Sequence, residues 1–427
     1  MKIQLPYGRG QIEAEAPSSA RTQVLTTHLS SFKSEHDGAY LARQALEHPI
    51  GMERLCERVR GAKRVVILSS DHTRPVPSRI LMPLLLQEIR MGNPEADITI
   101  LVATGCHRAP TREELLERYG ETIVAKEKIE IHNCDDENLV DAGELPSGNR
   151  LWLNRTAAQA DVLVGEGFIE PHFFAGFSGG RKSVLPGVCG RATIMHNHCA
   201  RNIDSPESTA GVLETNQIHL DMVSAAEKAG LRFILNVVIN EKKEIIAAFA
   251  GHPREAHEEG CGFLKNLCGC RAGEADIVVA SNGGYPLDQN IYQSVKGMTT
   301  ASRLCKTGGI IVMAAECADG HGGEQFHDTF AKGKDAGSIL QEILARDEHG
   351  TQPDQWQSQI FARVLVKNRV IFVSSQPKEL VEEFGMRWAP SLPAAMELAV
   401  EMSGVENPSI LVLPDAVSAI AMPAEEE

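Results

Sequence analysis

Between Arg64 and Gly165 the chain alternates short, continuous apolar runs with longer segments of helical spacing. The apolar runs are Arg64–Ser70, Asp97–Val102, Lys128–His132 and Asp161–Gly165. Runs of this length bounded by polar turn residues predict strands buried on both faces of a parallel sheet. Arg79–Arg90 between the first two predicts a helix, and Thr111-Arg-Glu-Glu114 has the spacing of a capping box opening a helix over 111–119. Ahead of this series, Lys2–Ala16 alternates around Gly8 and Gly10 as a small hairpin, and Glu35–Glu47 and Gly51–Val59 read as helices. Beyond it come a helix over Gln217–Ala229, a strand pair (Arg232–Asn240, Glu244–Ala250) and a helix over 253–265. After Cys-Gly-Cys-Arg-Ala-Gly at 268–273 the rhythm restarts. Strands are predicted at Asp276–Ala280, Gly309–Ala314, Arg369–Ser374 and Ser409–Leu413, with helices over 288–303 and 391–402 and a polar helical stretch around 335–365. Met422–Glu427 reads as a frayed acidic tail.

The fold class is therefore α/β, as two α/β domains with mostly parallel sheets. A chain of 427 residues exceeds one ordinary core. The composition break places the domains at 1–267 and 274–427, with the final segment able to pack back on the first domain. Charge narrows the partners: 42 basic against 57 acidic residues leave −15. That balance argues against non-specific binding to nucleic acid or to an anionic membrane. An anionic small molecule must then be drawn in by local Arg and Lys. No apolar run reaches the length of a membrane span, and the N-terminal residues lack the apolar core of a signal peptide, so a cytoplasmic protein is expected. The ten cysteines form no framework and read as reduced thiols, Cys268-Gly-Cys270 as a linker turn.

Parallel strands put their carboxyl ends on one edge, and four polar loops are expected there: 71–77, 103–110, 169–182 and 281–286. In the first, prolines fix Arg74 just outside a strand end, where a guanidinium can grip a carboxylate or phosphate. In the second, His107 follows a strand directly, and His172 takes the equivalent place in the third. Two imidazoles so placed can exchange protons with opposite faces of one substrate. Ser178, Gly179 and Gly180 form a turn resembling an anion nest, followed by Arg181 and Lys182. Lys182 reads as a surface charge, a phosphate partner or, with its pKa depressed by Arg181, a nucleophile. His196 and His198 stand two apart, so they point to different sides of a helix and predict one metal ligand and one bystander. His219, His252, His257, His321 and His327 read as surface or core residues. In the second domain Tyr292 and Gln293 precede Lys296, with Gln293 and Lys296 on one helix face, and Trp356 sits in a polar run as a candidate pocket wall.

Taken together, Asp71-x-Thr-Arg-Pro-x-Pro, Ala-Thr-Gly-x-His107-Arg, Glu-Pro-His172-x-x-Ala-Gly-Phe-Ser-Gly-Gly-Arg-Lys182, Thr-Ile-x-x-Asn-His198 and Tyr-Gln293-x-x-Lys296 resemble the nickel-dependent lactate racemase family. The five motifs run in order through nearly the whole chain. The resemblance implies two α/β domains with the site in the cleft between them, and a nickel-pincer nucleotide as cofactor. It implies a thioamide tether at Lys182, nickel ligation by His198, and His107 and His172 as paired acid/base residues. Arg74, Gln293 and Lys296 would hold the substrate carboxylate or hydroxyl, Asp71 and Thr73 would seat the cofactor, and Trp356 would line the pocket. The implied activity is racemisation of a 2-hydroxy acid, lactate by default, through reversible hydride transfer, with cofactor-assembly enzymes as partners. Rival expectations are a racemase or epimerase for a more polar hydroxy acid such as malate or a sugar acid, and a non-catalytic carrier of the nickel nucleotide. A metal-assisted hydrolase would need closely spaced carboxylate or His ligands, which the chain lacks.

Overall fold

The computed structural model describes residues 1–422 and 424, and they fold as two α/β units. One unit holds Leu29–His198 and Glu207–Leu267; the other holds Met1–His28, Cys199–Pro206 and the chain from Cys268 onward.

In the first unit six strands stand in the order 245–251, 231–239, 162–168, 64–70, 97–103, 128–131. All neighbours are parallel except the 231–239/245–251 pair. The strand Arg64–Ser70 is buried from Val65 to Ser69, which is why its sequence is continuously apolar rather than alternating. Val65, Ile67, Ile100, Val102 and Val164 join one core with Leu81, Met82 and Leu85 of helix Ser78–Gly92. Each fully buried aliphatic side chain contributes about 1.5–3 kcal/mol relative to exposure. Helix Arg112–Tyr119 opens on the expected capping box, with Thr111 and Glu114 bonding each other's backbone reciprocally.

The second unit has an all-parallel sheet in the order 387–389, 369–373, 305–314, 275–281, 409–413, 21–24. Two expected boundaries change here. The first domain does not begin at residue 1: Arg21–Val24 pairs with Ser409–Val412, and Ile3 and Leu5 of the N-terminal hairpin are buried with Ile277 and Val279. The final segment stays with its own unit, because Ile420–Met422 pairs in parallel with Gly269–Arg271. That ladder also corrects the Cys-Gly-Cys turn, whose Cys268 and Cys270 are buried beside and within a short strand. Met422 is thus a strand residue, while 423 and 425–427 of the expected tail lie outside the described residues.

Three further differences have local causes. The helix expected over 51–59 shrinks to Leu55–Arg58. The polar stretch 335–365 splits into Ala336–Leu344 and Gln355–Lys367, separated at Asp354, whose φ of 58° no helix continues through. An unforeseen antiparallel pair, Val140–Glu144 with Arg150–Leu153, is closed around a Pro-Ser-Gly turn. No helix among the described residues is long and apolar enough to cross a membrane.

The close seat of helix Ser78–Gly92 on its neighbour gives a stability test. A Cβ built at Gly92 falls 1.7 Å from the Cys56 carbonyl oxygen, a backbone atom that cannot swing aside. Gly92→Ala should therefore lower unfolding free energy by about 2–4 kcal/mol, read as a reduced urea midpoint at unchanged slope.

Candidate active site at the carboxyl edge of the first sheet

Strand 64–70 lies between 97–103 and 162–168. The chain moves from it first to one side and then to the other, so the loops after these strands open a crevice at a topological switch point. Three of the four expected loops, 71–77, 103–110 and 169–182, leave this edge. The fourth does not: 281–286 follows strand Ala275–Ser281 of the other sheet. There Asn282 ties the loop down, donating to the Leu287 and Gln293 carbonyls at 2.6 and 2.8 Å.

In the first loop the buried Asp71 carboxylate is the centre. Its Oδ2 lies 2.6 Å from His107 Nδ1, and its Oδ1 accepts from the Thr73 hydroxyl at 2.6 Å and the Thr73 N–H at 3.0 Å. Arg74 Nη1 donates to Thr73 Oγ1 at 3.1 Å. Burial works to raise the Asp71 pKa, yet the His107 and Thr73 hydrogen bonds and the Arg74 charge hold it down at about 2. Asp71 is thus a carboxylate that accepts a hydrogen bond from His107 Nδ1–H and leaves Nε2 as the open nitrogen. Arg118, from the helix after the second loop, fastens the turn from below by donating to the Asp71 and Arg74 carbonyls and to Ser78 Oγ at 3.1 Å.

The third loop is built around Arg181, which is 3% exposed. Its guanidinium donates to the carbonyls of Ala175 at 2.8 Å, Phe177 at 2.7 Å and Gly179 at 3.1 Å, and Nε donates to His219 Nδ1 at 3.0 Å. His257 Nε2 lies 2.8 Å from the Ser178 carbonyl. Here the expected anion nest is corrected. The Gly180 N–H is spent on Asn236 Oδ1 at 2.6 Å, the Ser178 N–H on the Glu170 carbonyl at 2.9 Å, and Ser178 Oγ bonds Glu170 and Phe168. Gly179 and Gly180 adopt φ of 79° and 53°, and a Cβ would meet the Phe168 carbonyl at 2.8 Å in the first case and the His257 ring at 2.8 Å in the second. They are glycines so that the turn can fold onto protein. His219 and His257, expected as surface or core residues, are core residues packed around its cation.

The ends of this loop converge on Phe174. Its ring lies 4.5 Å from that of His172, 5.1 Å from that of His198, and 5.7 Å from Lys182 Nζ. Lys182 Nζ is also 3.4 Å from His172 Nε2. Desolvation, then the charges of Arg181 and Arg74, push the Lys182 pKa well below its ordinary value, favouring the neutral amine. Desolvation and Lys182 push His198 down to about 3, leaving a neutral imidazole. His172 Nδ1 accepts the Ala175 N–H at 3.3 Å, which in the neutral ring puts the proton on Nε2. His196, like His198, is buried, and His198 packs on the Phe174 hub.

The other candidates lie on helices of the second unit. Tyr292, Gln293 and Lys296 are partly exposed on helix Ile291–Leu304, whose opposite face is buried. Asn290 caps that helix on the Gln293 N–H at 2.9 Å, and Tyr292 Oη donates to Asp354 at 3.0 Å. Trp356 is partly exposed in helix Gln355–Lys367.

Sequence reasoning missed Phe174, the tie between Asp71 and His107, and the brace from Arg118. The first stood in plain view as the second of two aromatics after His172. The other two depend on how three loops fold together.

Among the described residues no cluster of three or more His, Cys, Asp or Glu could hold a metal ion. The donor set instead offers the His198 imidazole and the Lys182 amine, both shifted towards their neutral forms, so a metal held here would need ligands from a further group.

Comparison with known proteins agrees over the full chain. Family models described as the lactate racemase N-terminal domain and the lactate racemase C-terminal domain match residues 7–211 and 270–421. The chain is 49% identical to the lactate racemase of Thermoanaerobacterium thermosaccharolyticum, covering 98% of both chains. It is 47% identical to that of Lactiplantibacillus plantarum, over 98% of this chain and 99% of the other. The solved lactate racemase apoprotein from T. thermosaccharolyticum superposes with a TM-score of 0.94 at 47% identity, over 99% of this chain and 100% of that one. A structural-genomics protein from Thermotoga maritima matches in fold alone, with a TM-score of 0.62 at 17% identity, over 91% of this chain and 100% of that one.

The buried neutral histidines give a pH test. His198 and His219 titrate near 3 in the folded chain against 6.5 for an ordinary histidine. Between those values the unfolded chain holds protons that the native one lacks, so stability falls as pH falls through that window. Unfolding free energy should be level near neutrality and decline below pH 6.5, each such histidine adding a slope of up to about 1.4 kcal/mol per pH unit. His219→Gln should make the decline shallower in urea titrations; an unchanged slope would remove His219 from the set.

Proposed function

Because this chain belongs to the lactate racemase family, we infer that it is an isomerase that interconverts the enantiomers of a 2-hydroxy acid, with lactate as the substrate its relatives name. One observation carries the assignment of roles. His107 is tied to Asp71, and His172 lies beside Lys182, whose ionisation the Arg74 charge opposes.

The two imidazoles are prepared differently. His107 has Nδ1 committed to Asp71 and presents Nε2 as the base for a substrate hydroxyl proton, and the Asp71 carboxylate then stabilises the imidazolium. His172 has Nδ1 committed to the Ala175 N–H and presents Nε2–H as the acid. One enantiomer gives its proton to the first ring and its mirror image receives one from the second; reversal exchanges the roles. Arg74, Gln293 and Lys296 are proposed to hold the substrate carboxylate through charge-assisted bonds, with Tyr292 and Trp356 as pocket walls.

The proposed cofactor is a nickel-pincer nucleotide, tethered at Lys182 and ligated through its nickel by His198, with Asp71, Thr73 and the 178–180 turn shaping its seat. When bound, it supplies an electron-poor carbon able to accept and return hydride. The neutral amine of Lys182 can form the tether, and the neutral ring of His198 has a lone pair to give a metal. Cofactor-assembly enzymes and a cytoplasmic location complete the proposal.

Protein made with the assembly enzymes should carry an added mass and nickel, and Lys182→Ala should lack the mass. His107→Ala and His172→Ala should each slow interconversion of single-enantiomer lactate by about 100-fold or more, followed by circular dichroism, with mass and nickel unchanged. Full turnover in both variants would refute the two-base assignment.

A further inference from the structure

Two thiols stand behind His107 and take no part in the chemistry above. Cys106 immediately precedes it in a turn closed by the His107 N–H donating to the Thr104 carbonyl at 3.0 Å. Cys134 lies two residues beyond His132, whose carbonyl accepts from Thr104 Oγ1 at 2.8 Å and whose N–H donates to the Val102 carbonyl at 3.0 Å. Strands 97–103 and 128–131 are parallel neighbours with Val102 opposite Ile131. The two cysteines therefore sit on adjacent loops at the same edge of the sheet, and each thiol bears on the ionisation of the other. Both are reduced; Cys106 is partly exposed and Cys134 is buried. Arg191 completes the surroundings, with its N–H on the Cys134 carbonyl at 2.9 Å and its guanidinium bidentate to Asp135 at 2.7 Å.

We propose that Cys106 and Cys134 are a redox modification site: a peroxide-class oxidant joins them in a reversible disulfide that displaces His107 and arrests turnover. The bond itself stands on the loop geometry alone, while the loss of turnover rests on the acid/base role assigned to His107.

The groups are suited to unequal tasks. The neighbouring Cys106 thiol lowers the Cys134 pKa against its burial, with help from Arg191, whereas Cys134 and burial raise that of Cys106. Cys134 is accordingly the readier of the two to react as a thiolate. Its sulfur attacks one peroxide oxygen, the O–O bond breaks, and hydroxide leaves and takes up the proton Cys134 has shed, giving water and a sulfenic acid. The Cys106 sulfur then attacks the Cys134 sulfur; the S–S bond forms, the S–O bond breaks, and the departing hydroxide takes the Cys106 proton as a second water. Two thiols are oxidised and one hydrogen peroxide is reduced. Closing to a bond of about 2.05 Å pulls Cys106 towards the neighbouring loop. His107, the next residue, cannot follow and still keep its 2.6 Å bond to Asp71.

The test treats the full chain, cofactor-loaded, with hydrogen peroxide, then alkylates free thiols and maps a non-reducing digest by mass spectrometry. The expected result is a peptide pair joined through Cys106 and Cys134 with loss of two hydrogens, reversed by dithiothreitol. Racemase activity should fall by about tenfold or more and recover with the reductant. Cys106→Ser and Cys134→Ser should keep basal turnover and lose this reversible response. Oxidation of other thiols with no such linkage overturns the site, whatever the activity does. Linkage with turnover intact, or equal inactivation of both Ser variants, overturns the coupling to His107. Mapping of wild-type protein decides the first point even if a variant folds poorly.

Discussion

The candidate site depends on a buried cation with no carboxylate among its hydrogen-bond partners in the described residues. Arg181 is held by four carbonyls of its own loop and by His219, with His257 alongside. Burying a guanidinium costs several kcal/mol, and charge-assisted hydrogen bonds of about 1.5–3 kcal/mol each offset that cost only if all of them form together. The loop is therefore held all at once or not at all. Its fixed path sets His172 at one end and Lys182 at the other, with Phe174 between them.

The same cation shapes the chemistry. Its charge, added to desolvation, keeps Lys182 an amine and His219 a neutral ring. On a chain of net charge −15, Arg74 and Arg181, both acting on Lys182, form a local positive centre. A small anionic ligand is drawn to that field, and a proton is not. The facing loop is organised by the opposite charge: Asp71 stays ionised because His107, Thr73 and Arg74 all address it. One loop braced on a buried cation and the other on a buried anion thus present two imidazoles with opposite proton arrangements.

Motifs misled where their residues had two uses. Ser178-Gly-Gly180 looked like a cradle for an anion because bare backbone can approach a ligand, but here it approaches Asn236, Phe168 and His257. Asp71 and Thr73, proposed at the cofactor, carry a second use that spacing does not show, a shared contact with His107. The 281–286 loop was grouped with the others because it too follows a strand, although that strand belongs to another sheet. Spacing reports that a loop leaves a strand end; it does not report which sheet the strand has joined.

The sequence by itself determined the α/β class, the positions of the core strands and the capping box at Thr111, because those follow from local periodicity and from hydrogen bonds between near neighbours. It also marked His107, His172, Lys182 and His198 as chemically notable, since few buried segments need such residues. Only the tertiary structure decided that the first hairpin and Arg21–Val24 complete the second unit, that Asp71 orients His107 and that Arg118 braces the turn carrying Asp71 and Arg74. The same holds for Cys106 meeting Cys134. Each of these rests on contacts between residues far apart in the chain, which depend on strand order and register rather than on any local pattern.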